Sequence, residues 1–287
     1  MQYFGFKSDY LIIIDCVPDK DMQTGRRLDE DINDCINKKN TPFYCFLHKC
    51  QEYNDFLNTL HKIKIGIVEH NQYPCIHIEG HASKNGLKIG TEITKWEEVI
   101  GNLREINILC KNNLFISIAA CSSAFLYSHI SLTKPAPFFG ILAPKEEIKA
   151  GVLVNIFSGF YCSLISKKTL LKAKNMVEKN KNGNNLLLIY TYSHFIRECE
   201  KYIKYYNRKT KQKKLESILS KLEKIITNIS LAEKRKNIRV NQNKDLLCTL
   251  DYFYSIFTMT QLYPENRERF IFNSSDLVKN IRKETKI

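Results

Sequence analysis

The stretch LFISIAAC, residues 114–121, is apolar on both of its alternating faces until it ends in a thiol. A strand with one face in water alternates polar with apolar residues, whereas a strand covered on both faces does not. DYLIIID at 9–15 reads in the same way, and the run 73–79, which leads into Gly80 and His81, supplies another strand. TPFYCFLHKC at 41–50, opened by Pro42, PFFGILA at 137–143, closed by Pro144, and residues 185–190 supply three further strands. Between them the period changes. Phe56, Leu57, Leu60 and Ile63, then Trp96, Val99, Ile100, Leu103 and Ile106, recur at helical spacing. Residues 19–39 carry turn and helix signals, and 145–171 read as a long apolar helix. Strands alternating with helices predict an α/β fold: a mainly parallel six-stranded sheet flanked by helices.

From Ser193 onward the pattern is helical. Leu215, Ile218, Leu222, Ile225 and Ile229 form a heptad-like stripe among lysines, too short to establish a coiled coil. The basic run RKTKQKK, residues 208–214, reads as a linker, so the expected division is a domain at 1–207 and a basic helical C-terminal extension at 208–287. Charge divides similarly. The net charge is +14, yet residues 161–287 hold 27 Lys and Arg against 12 Asp and Glu, and the first 160 are almost neutral. A basic half suits an acidic ligand or nucleic acid, or is a solvated lysine-rich surface. Tyr202, Tyr205 and Tyr206 among Lys201, Lys204 and Arg208 offer the interleaving of aromatic and basic groups that single-stranded nucleic acid favours.

No apolar run approaches the roughly 20 residues of a membrane helix, and MQYFGFKSDY lacks the basic and apolar regions of a signal peptide. The expected compartment is cytoplasmic. None of the ten cysteines forms a C-x-x-C pair, which leaves zinc or thioredoxin-type chemistry without support, and no metal or cofactor is expected. Most of these thiols are expected to be small buried hydrophobes.

Two of the apolar strands end in groups that can react together. One leads to His81 and the other to Cys121, and ligands of open α/β sheets bind at the carboxyl ends of strands. If the strands are neighbours, the imidazole and the thiol meet above the sheet, where the histidine can hold or generate a thiolate. Ala119 and Ala120 allow close backbone approach before Cys121, and Gly80 does so before His81. His77, on the same side of its strand as His81, reads as a supporting group or as a hydrogen-bonded sheet histidine. His48, His61, His70, His129 and His194 have no such context.

These segments, IHIEGHASKNGLKI and LFISIAACSSAF, resemble the caspase-like cysteine peptidases, and among them the bacterial CHAT and short caspase-like proteins. The hallmark of that family is a strand ending in Gly-His-Gly and a later one ending in a small residue and Cys. The spacer with its Trp96-Glu97-Glu98 helix start, the strand FFGILAPKEE and the segment FSGFYCSL extend the resemblance over about residues 9–205. The resemblance implies a cysteine endopeptidase with a His81–Cys121 dyad and an oxyanion hole built from the backbone N–H groups of Cys121 and Ala82. Ala82 stands where the family usually has glycine. It further implies a protein substrate, and a latent effector of bacterial antiviral defence, switched on by an acidic nucleotide that the basic half would sense.

In this family the end of the first strand helps set the residue before the cut, so Asp15 is expected to favour Arg or Lys; the alternative is that Asp15 caps a loop or helix. The competing function is an inactive caspase-like scaffold that binds a protein partner or nucleic acid through its basic half.

Overall fold

The computed structural model of the chain describes residues 6–167, 169–181, 183–209 and 231–284. Among them the chain divides into two compact units, one of residues 1–131 and 135–191, the other of 132–134 and 192–287. The division falls at the start of a helix, upstream of the boundary after 207 that the basic run suggests. The heptad-like stripe and most of that basic run lie outside the described residues.

The first unit is α/β. Strands β1 (Tyr10–Asp15), β2 (Tyr44–Lys49), β3 (Pro74–Glu79), β7 (Phe115–Ala119), β8 (Gly140–Pro144) and β9 (Leu186–Tyr190) form a six-stranded sheet in the order β2-β1-β3-β7-β8-β9. All neighbours are parallel except β8 and β9, which are antiparallel. The sheet is flanked by α1 (Thr24–Lys39), α2 (Tyr53–His70), α3 (Trp96–Leu109) and α4 (Ala150–Lys167), with α5 (Leu170–Lys179) packed on α4. Every residue of β1, β3 and β7 is buried, which is why β1 lacks polar alternation, whereas β3 buries its polar His77 and Glu79 on one face. Each buried Leu or Ile there contributes about 1.5–3 kcal/mol.

The two faces are nevertheless distinct. Ile12, Ile14, Ile76, Ile78, Ile116 and Ile118 pack in one cluster with Phe56, Leu60, Trp96, Val99 and Leu103 from α2 and α3. The opposite face of β3 and β7 carries His77, Glu79 and Ser117, and meets Phe157 and Tyr161 of α4.

A three-stranded antiparallel sheet interrupts the β3–α3 connection: β4 (His81–Ser83), β5 (Gly86–Ile89) and β6 (Glu92–Lys95). The sequence reading has no such element, because three- and four-residue strands are too short for a period to register. Gly86 is required there, since a Cβ on it would stand 2.0 Å from the Thr94 carbonyl oxygen. The second unit is helical, with α6 (Thr191–Lys209), α7 (Leu231–Phe257), α8 (Asn266–Arg269) and α9 (Ser274–Glu284). No helix among the described residues is long and apolar enough to cross a membrane.

Candidate functional site

β3 and β7 are neighbours in a register that pairs Cys75 with Phe115 and continues to Glu79 with Ala119. Each pair is separated by the same stretch of sequence that separates His81 from Cys121. The two candidate residues therefore each lie two positions beyond the last register pair, at the carboxyl ends of adjacent parallel strands.

Beyond β3 the backbone turns through Gly80 into β4, so His81 opens the small sheet instead of ending the large one. Its side chain is 53% exposed, and its Nε2 lies 2.8 Å from Oδ2 of Asp21. Asp21 lies between β1 and α1, and the sequence reading does not single it out. With Nε2 occupied by the carboxylate, Nδ1 is the ring nitrogen available to a thiol.

Cys121 occupies a sharp strand-to-helix turn. Ala120 is buried, Ser122 adopts a left-handed conformation at φ 57°, and a 3-10 helix runs from Ser123 to His129. Two bonds set the turn: the Ser123 N–H donates to the Ala120 carbonyl at 3.2 Å, and the Ser123 hydroxyl donates to the Ile118 carbonyl at 3.3 Å. The Cys121 thiol is partly exposed. No hydrogen bond joins His81 to Cys121; the imidazole is held by Asp21.

Ala82 pairs with Leu87 across β4 and β5, whose two-residue loop, Lys84 and Asn85, is flanked by Ser83 and Gly86. Residues flanking such a loop form a hydrogen-bonded pair, and the alternation of an antiparallel ladder leaves the next pair non-bonded. The Ala82 N–H thus turns away from β5 and is available to an incoming group.

Beneath the two candidate residues lies a buried polar chain. The Thr24 hydroxyl donates to Oε2 of Glu79 at 2.8 Å, and Oε1 of Glu79 lies 2.9 Å from Nε2 of His77. Nδ1 of His77 is 2.5 Å from the Ser117 hydroxyl, which is 2.6 Å from the Tyr161 hydroxyl. His77, Ser117 and Tyr161 are wholly buried, and Glu79 is 2% exposed. Burial pushes the Tyr161 phenol well above its ordinary range, so it stays protonated and can donate within the chain. His77 is a hydrogen-bonded sheet histidine that ties β3 to β7, and it supports the site from below.

Asp15 ends β1 as expected, but it is closed to a substrate and caps the loop that follows. It is 1% exposed, and it accepts the Val17 N–H at 2.9 Å and the Lys49 ammonium at 3.2 Å. The same ammonium donates to the Val17 carbonyl at 2.6 Å and to Gln23 at 2.8 Å. Gly25 is packed so tightly that a Cβ on it would meet the Asp15 carboxyl carbon at 2.9 Å. Asp15 is thus a buried anchor for the loop that carries Asp21, with no open face for a substrate side chain. Asp19, the other carboxylate near this strand, also pairs with Lys49, at 3.3 Å. Asp15→Asn is expected to lower stability by about 1–3 kcal/mol, as for a buried polar group left poorly satisfied, and to leave the residue preference of any cleavage unchanged. Urea unfolding and a peptide library measure the two effects.

In the second unit, Tyr202 packs edge-on against Phe253 at 5.5 Å, and the Tyr206 hydroxyl donates to the Gln242 carbonyl. Of the four tyrosines on α6 only Tyr205 is largely exposed. The row of stacking aromatics that single-stranded nucleic acid would need is absent among the described residues of this helix. Those residues also contain no group of three His, Cys, Asp or Glu side chains placed to hold a metal ion. No protein-family model matches the chain, and no curated protein is significantly similar to it.

Proposed function

We propose that this chain is a cysteine endopeptidase of the caspase-like kind, with Cys121 as nucleophile, His81 as general base and Asp21 as the group that orients the base. The observation that carries this reading is the placement of His81 and Cys121 in matching register past the carboxyl ends of β3 and β7. An aspartate on Nε2 fixes the orientation of the ring and leaves Nδ1 for the sulfur.

In the proposed reaction the Cys121 thiol passes its proton to His81, and the sulfur attacks a peptide carbonyl. The N–H groups of Cys121 and Ala82 stabilise the oxyanion. Collapse of the tetrahedral intermediate expels the amine, which leaves with the proton held by His81, and a thioester remains on Cys121. Water, deprotonated by His81, then releases the new carboxylate and restores the thiol.

Cleavage after basic residues loses its support, because the carboxylates of Asp15, Asp19 and Asp21 all have cationic or imidazole partners. A latent role in antiviral defence, with an acidic nucleotide as activator, belongs to the proposal on the strength of the sequence resemblance and the basic C-terminal half. The test is incubation of the chain with a mixed peptide library, with and without acidic nucleotides, read by mass spectrometry. Cleavage by the wild type in either condition supports the reading. An absence of cleavage in both, together with salt-sensitive binding to nucleic acid, favours the scaffold.

An exposed ion pair contributes about 1 kcal/mol at most. Asp21→Asn keeps an acceptor for the ring but removes the charge, and is therefore expected to lower kcat/KM about fivefold.

A further inference from the structure

A second pair of sulfurs lies away from the candidate site. Cys35 on α1 and Cys162 on α4 face each other where the two helices pack, and both thiols line the same groove there. Both are partly exposed, and together with Asp31, Asp34, Lys38 and Ser158 they line an open groove of about 340 Å³. Such a pair differs from the fully buried Cys75 and Cys110, which water cannot reach. It does not read as a metal centre, since no third ligand of suitable kind is placed with it among the described residues.

We propose that Cys35 and Cys162 form a reversible disulfide that staples α1 to α4 when the protein meets a hydroperoxide. Burial, reinforced by the neighbouring Cys35, pushes the Cys162 thiol up to about 12. Cys162 therefore serves as the resolving thiol, and Cys35, beside it in the groove, as the attacking one. The Cys35 thiolate displaces hydroxide from the peroxide, which leaves as water, and a sulfenic acid forms on Cys35. Cys162 gives up its proton as its sulfur attacks that of Cys35, and the departing hydroxide takes the proton as a second water. Two thiols lose two electrons, and the peroxide gains them. A thiol reductant such as glutathione reverses the bond by exchange.

The staple has a consequence for the rest of the unit. α1 carries Thr24, which bonds Glu79, and α4 carries Tyr161, which bonds Ser117. Joining them locks the two helices that hold the buried polar chain from either end. Because the cysteines are far apart in sequence, the bond also closes a long loop and restricts the unfolded chain.

The test treats the purified full chain with hydrogen peroxide, alkylates the remaining free thiols and maps peptides by mass spectrometry. The expected product is a single Cys35–Cys162 cross-linked peptide pair, lost on reduction, with a melting temperature raised by roughly 5–10 °C. In Cys162→Ser the cross-link disappears, and Cys35 is instead trapped by dimedone as a sulfenic acid. Recovery of Cys35 and Cys162 as alkylated thiols, or their linkage to other cysteines, overturns the proposal. Mass is the readout, so the result is independent of whether Cys121 cleaves peptides.

Discussion

Cys121→Ala should abolish peptide cleavage, lowering kcat/KM at least about 10³-fold, while the chain unfolds at nearly the same urea concentration as the wild type. The activity loss follows from the role: without sulfur there is no acyl-enzyme, and members of a catalytic set fail together when one is removed. The small stability effect follows from the structure. Cys121 is partly exposed, and its turn is held by backbone and Ser123 bonds that alanine leaves in place. His81→Ala should behave in the same way, since its ring is half exposed and its single partner is an exposed carboxylate. The measurement is steady-state cleavage of a peptide found in the library, beside denaturant unfolding of each variant. Cleavage that survives in Cys121→Ala at more than a few per cent would remove the proposed function.

Glu79→Ala should have the opposite profile, with a large loss of stability of about 3–5 kcal/mol. Glu79 is 2% exposed and serves two buried partners, Thr24 and His77. Removing the carboxylate leaves the buried Thr24 hydroxyl and His77 Nε2 without their partner. Glu79→Gln should cost less, because an amide can still accept from one neighbour. The comparison separates the carboxylate's charge from its hydrogen bonds. An unchanged urea midpoint for Glu79→Ala would mean that the buried chain does not hold β3 and α1 together. If the two variants lose stability equally, the charge matters more than the hydrogen bonds.

These variants also mark where one-dimensional information ends. The burial of β1 and β7 is legible because it is a local property. A strand covered on both faces tends to be apolar at consecutive positions, and YLIIID and FISIA largely are. β3 is equally buried, but its His77 and Glu79 hide this in the sequence. Helix α3 is legible for a similar reason: Trp96, Val99, Ile100, Leu103 and Ile106 recur with the helical period, and all are buried. The shared ending of two such strands in His81 and Cys121 is therefore visible before any coordinates. The short strands β4 to β6 are not, since pairing with each other stabilises them more than any repeating pattern does.

The run of strands, their alternation with helices, and a thiol and an imidazole at two strand ends are all readable along the chain. Only the tertiary structure decided which partners the acidic groups take. The Lys49 that occupies Asp15 is 34 positions away, the Asp21 that holds His81 is 60 away, and the Ser117 that meets His77 is 40 away. A carboxylate's chemistry depends on what fills its lone pairs, and that is set by strand order and by where loops return. Hydrophobic periodicity records which side of an element is covered; it carries no record of which distant residue covers it.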